Sequence, residues 1–176
     1  ISSPRPASQR AAALVLTAIM LTSLTAPAFA KTWCIEDGNI TVKAGDTGND
    51  VTQKGETTYG DTDTIITNQN KDIASSNTVT IETNDKNDKV EVTLKDVNIE
   101  ATGDKAAVSV TGSGNTTIKL DGDNKLSGSG AHAALEHNQT VDSERNVTSG
   151  KLTIQDDNDK AGSLTATGGI QNGAGI

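Results

Sequence analysis

Short alternating segments recur along this chain in threes and in matching order, and that recurrence limits the fold more than any other feature. Val92-Thr93-Leu94, Ile118-Lys119-Leu120 and Leu152-Thr153-Ile154 each set two large aliphatics around a polar residue. In an extended strand both aliphatics then point to the same side. A second strand follows each: Val97-Asn98-Ile99, Asn124-Lys125-Leu126 and Leu164-Thr165-Ala166. A third follows those: Ala106 to Val110, His132 to Leu135, and Gly173 to Ile176. Three rungs result, with the first two starts 26 residues apart and the next two 34 apart, counting from Val92, Ile118 and Leu152. The polar stretch Gln139 to Gly150 supplies most of the excess and is expected to be an exposed loop. An earlier, looser rung can be drawn through Ile40-Thr41-Val42, Ile65-Ile66 and Val79-Thr80-Ile81, although Gly45 to Asp63 has almost no apolar residue.

One such rung cannot bury its apolar face alone. Rungs stacked about 4.8 Å apart share an aliphatic column and pair their backbones. The expected fold class is therefore all-β, a single-stranded parallel β-helix over 78–176, with Leu94, Leu120 and Ile154 in one inward column. An antiparallel β-sandwich is the alternative, because it too is made of short strands and turns. Composition fits a narrow core: beyond residue 30 the aromatics are Trp33 and Tyr59, so Val, Ile, Leu, Ala and Thr must fill the interior.

The start of the chain has the pattern of an export signal. Arg5 and Arg10 precede an uncharged run, Ala11 to Leu24, of 14 residues. That is short of the roughly 20 residues needed to span a bilayer. Ala28-Phe29-Ala30 then offers a small-x-small cleavage pattern. The expected domains are a signal peptide at 1–30 cut after Ala30, an irregular lead-in or first loose rung at 31–77, and the β-helix at 78–176, truncated at its C-terminus. The product is expected to be secreted, at the cell surface, with no membrane insertion after cleavage. Cys34 is the single cysteine and is expected to be an unstructured free thiol.

The chain holds 15 basic and 23 acidic residues, and two of the basic ones lie within 1–30, so the cleaved chain carries −10. Such a surface repels nucleic acid and anionic lipid. The densest acids follow the first strand of each rung. Asp96 comes after Leu94, Asp121 and Asp123 after Leu120, and Asp156 and Asp157 after Ile154. If the rungs stack, these five carboxylates line one edge, and calcium, which takes six to eight oxygens, would relieve their repulsion. Turn formation by Asp and Asn explains the same residues without a metal.

Catalytic groups are not apparent. Enzymes that use this fold on pectin need paired acids with His and basic residues around the sugar. Here Asp156-Asp157 is an adjacent pair, and Arg145 is the one arginine past residue 30. His132 and His137, five apart, fall on opposite faces of a strand, and Glu136 is the nearest further ligand.

The runs Val90 to Ile99, Ala107 to Val110, Thr117 to Leu120, Lys151 to Ile154, Gly162 to Gly169 and Gly173 to Ile176 resemble the right-handed parallel β-helix surface proteins of Gram-positive gut and soil bacteria, the carbohydrate-binding-domain or adhesin-like family. The resemblance spans about residues 78–176. It implies an exported, repetitive, non-enzymatic module that meets extracellular polysaccharide or a host or cell-wall surface, with calcium as a possible aid to binding acidic polysaccharide.

Overall fold

A computed structural model describes residues 29–176. The expected signal therefore lies outside the described residues, except for Phe29 and Ala30. No helix among the described residues is long and apolar enough to cross a membrane.

The described residues are all-β, with one 3-10 turn at Ile35–Asp37. The strands are β1 (Phe29–Cys34), β2 (Ile40–Ala44), β3 (Asn49–Gln53), β4 (Glu56–Thr67), β5 (Val79–Thr83), β6 (Lys89–Lys95), β7 (Asn98–Glu100), β8 (Val108–Gly112), β9 (Asn115–Ser127), β10 (Leu135–His137), β11 (Leu152–Asp156) and β12 (Gly162–Thr167). They form one mixed sheet, ordered β10-β8-β5-β2-β3-β4-β6-β9-β11, with β1 on β4 and both β7 and β12 on β9.

Three parallel ladders run through this sheet. The first is β4-β6-β9-β11. The second joins Ser75, β7, the end of β9, and β12. The third is β2-β5-β8-β10, and Leu135 N extends it by donating to Gly175 O at 3.2 Å. β9 runs through the first ladder into the second, and β2-β3-β4 pair antiparallel, so the described strands make a curled mixed sheet and not a clear parallel β-helix. Ile66, Leu94, Ile99, Ile118, Leu126, Ile81 and Leu135 are buried together in the shared interior.

Register follows the alternation closely in the centre. Val92 pairs with Ile118 and Leu94 with Leu120. Ile99 and Ala166 both pair with Leu126. The expected column departs at the last rung: Ile154 stacks on Ile118, and Asp156 stands against Leu120. A slip of two residues keeps every side chain on its face, so alternation alone cannot detect it. Leu152 then lies against Thr116, whose buried hydroxyl has no hydrogen-bond partner among the described residues.

The early region differs from expectation in two ways. Ile40-Thr41-Val42 and Val79-Thr80-Ile81 are not successive sides of one rung. They pair with each other in the third ladder. Residues 31–77, expected as an irregular lead-in or loose rung, carry most of β1 and all of β2, β3 and β4. Here the pairing turns antiparallel, β2 with β3 and β3 with β4. Gln53 and Glu56 close a two-residue turn in which Lys54 (φ 55°) and Gly55 (φ 79°) are both left-handed, the turn type that matches strand twist in a hairpin. Cys34 ends β1 and is half-buried rather than unstructured, and Trp33 is in the core at 3% exposure. Gln139 to Gly150 is the expected exposed loop, closed by a Val141–Val147 bridge.

Candidate functional site

The corner between the first and second ladders holds the five acids singled out from the sequence. Left-handed backbone makes this corner. Asp96 has φ 49° and Gly122, in the next rung, has φ 69°. The Asp96 carboxylate lies over Gly122, where any Cβ would collide with it, and Oδ1 accepts from Asp123 N at 3.2 Å. The same device occurs at the next corner. Asp104 (φ 59°) lies over Gly130 (φ 61°) and accepts from Ala131 N at 3.1 Å. A carboxylate caps the turn of the next strand in its ladder in each case, and a Cβ at the glycine would have to displace that carboxylate.

The other acids of the corner have separate partners. Asp123 Oδ1 accepts from Ser163 Oγ at 2.8 Å. Asp156 is exposed and its Oδ1 accepts from Gly162 N at 3.2 Å. Asp121 and Asp157 are brought together, and Lys160 Nζ sits 3.3 Å from both. Lys95 approaches Asp121 at 3.8 Å. These contacts hold the Lys160 ammonium above its ordinary pKa, Asp121 contributing first and Asp157 next. Asp96, Asp123 and Asp156 thus serve turns and a hydroxyl, while Asp121 and Asp157 share a lysine. Among the described residues no three His, Cys, Asp or Glu side chains gather as a metal-holding group.

Sequence reasoning missed Lys160, which lies past the acids it serves. It also missed a polar groove of about 320 Å³ at the third ladder, lined by Thr78, Thr80, Asp104, Ser109, His132 and Glu136. His132 is half-buried there. Its Nδ1 is 2.7 Å from Glu136 Oε1 and its Nε2 is 3.9 Å from Asp104 Oδ1. The Glu136 contact was signalled by the short spacing. Asp104 comes from the previous rung, and only stacking brings it near. The two carboxylates lie on opposite sides of the ring, so they do not converge on one point. His137 is exposed.

Outward positions elsewhere are tied across rungs. Lys43 pairs with Glu82 at 2.9 Å, and Lys119 with Glu91 at 2.7 Å. The Glu91 hydrogen bond is the main cause that raises the Lys119 pKa. Comparison with protein-family models, curated proteins and solved structures finds no match to this chain.

Proposed function

We propose that the chain is a secreted, non-catalytic surface module with a structural or adhesive role, built as a right-handed parallel β-helix like the bacterial surface proteins it resembles. One observation carries the reading: three parallel ladders keep their order from residue 64 onward and give an extended outer surface of Thr, Ser, Lys and Glu. The adjacent acids Asp156 and Asp157 turn to different partners, a backbone N–H and Lys160. That supports use in turns and cross-rung pairing over hydrolysis of a bound sugar. Extracellular polysaccharide or a host or cell-wall surface is the proposed partner. The test displays the exported chain on a non-adherent bacterium and measures attachment to polysaccharide-coated surfaces. Attachment should rise with no release of oligosaccharide. New reducing ends in the medium would overturn the non-catalytic reading, and unchanged attachment would overturn the adhesive one.

A second reading, a calcium-dependent module for acidic polysaccharide, has its own observation. Asp121 and Asp157 approach closely enough for one cation to serve both, and Lys160 holds that place. Thermal melts with calcium and with chelator test it on the native chain and on Lys160→Met. Calcium should raise the midpoint of both, more in Lys160→Met, and should leave the Asp121→Asn/Asp157→Asn double variant unmoved. Equal midpoints with calcium and chelator throughout would sink this reading.

A further inference from the structure

Asp61 is a buried carboxylate at 1% exposure. Its Oδ2 accepts from Trp33 Nε1 at 2.8 Å. Its Oδ1 accepts from two main-chain nitrogens, Lys31 N and Asp63 N, each at 3.2 Å. All three donors are neutral in the uncut chain, and among the described residues Asp61 joins no ion pair. Lys31 Nζ lies over the Trp33 ring at 3.7 Å. The three N–H groups already make charge-assisted hydrogen bonds to this carboxylate; a cation in reach would add Coulomb attraction, which counts for more at a buried site than in water.

We propose that cleavage after Ala30 supplies the missing cation. Hydrolysis of the Ala30–Lys31 bond by water leaves a carboxylate on Ala30 and an ammonium on Lys31. That nitrogen already lies 3.2 Å from Asp61 Oδ1, so it becomes the charged partner of Asp61 without moving. The inference rests on the reading of residues 1–30 as a cleaved signal. Register favours it: Lys31 to Cys34 stay paired with Thr64 to Thr67 after Phe29 and Ala30 are gone. Cleavage gives up the pairing of Phe29 with Asp61 and of Ala30 with Asp63 at the exposed start of β1, together with Thr62 Oγ1 donating to Phe29 O at 2.8 Å. The precursor therefore holds β1 less firmly than the processed chain, as suits a polypeptide that is exported before it folds.

The full chain is exported from a bacterial host and the product is weighed by mass spectrometry. Part of it is then acetylated selectively at the α-amine. The acetyl group restores a neutral amide at Lys31 and so removes the charge alone. With an N-terminus at Lys31, acetylation should lower the thermal midpoint by about 2–4 °C, and should have no effect in Asp61→Asn. Because that variant removes a buried charge and can fail to fold, a second measurement uses the native product: the α-amine should acylate at least several-fold more slowly in the folded chain than in urea, relative to exposed lysines. An N-terminus elsewhere overturns the processing reading and this pairing together. An N-terminus at Lys31 with no acetylation shift and an unprotected α-amine overturns the pairing and leaves the processing reading standing.

Discussion

The two ends of the described chain solve the same problem differently. At the β11–β12 end, Leu152, Ile154, Leu164 and Ala166 point inward on the same alternation as the middle rungs, yet they are only partly buried. At the β1–β4 end the interior is closed, although 16 of the 39 residues 29–67 are Thr, Asp or Asn. Buried polar side chains pack there beside Ile35, Ile40, Val42, Val51 and Ile66. Asn49 Nδ2 donates to Thr64 Oγ1 at 2.9 Å and to Glu91 O at 2.8 Å, while Asp61 gathers Trp33 and two backbone amides. The pattern of aliphatics tells which way a residue faces. Whether it is buried depends on what covers it.

The largest effect should come from the centre, where neither end matters. Leu94 is fully buried. Leu94→Asp puts an unpaired charge into the shared column, at a cost above about 4 kcal/mol. The β signature in circular dichroism should be lost at 25 °C; a folded variant would mean the column is wet. Next, Asp61→Ala strands the Trp33 indole N–H and two amides at the closed end. It should cost about 3 kcal/mol in urea unfolding, and a loss below 1 kcal/mol would show that water reaches this site. The sharpest comparison pairs residues in register. Ile118→Ala should cost about 3 kcal/mol, whereas Ile154→Ala, stacked on it in the partly covered rung, should cost about 1 kcal/mol. Equal losses would show that the β11 rung is covered in solution. Smallest of all, replacing 141–147 with a two-residue turn should change stability by less than about 0.5 kcal/mol. Thr148 N donating to Thr140 O at 2.8 Å already closes the loop below that point.

Much of the middle was legible because each strand there carries two aliphatics around one polar residue. Leu94 over Leu120 and Ile99 over Leu126 follow from matching those triplets. The last rung misled the alignment because Leu152 and Ile154 offer two equally apolar registers two residues apart. The closed end was illegible for a different reason. Its turn signal, Lys54-Gly55, is present, but Thr52, Gln53, Glu56 and Thr57 around it have no apolar alternation. The burial of Trp33 was not legible because its partner, Asp61, is 28 residues away. At the acidic corner, sequence spacing brought out the five Asp residues. It could not reveal that Asp96 caps a glycine turn one rung on, or that Lys160 folds back between Asp121 and Asp157.

The hairpin at Lys54-Gly55 also bears on time. Gln53 and Glu56 are three positions apart, while the ladders join residues 24 or more apart, such as Ser75 with Ile99 and Leu94 with Leu120. Short loops close in well under a microsecond and distant strand pairs form far more slowly. The hairpin lies toward the end that leaves the ribosome, and any export channel, first. It can be complete while the later strands are still emerging from the channel, and β2 and β4 then present ready edges for β5 and β6. Folding in this order is templated growth from a seed, with each turn of chain meeting a finished surface instead of an unfolded one.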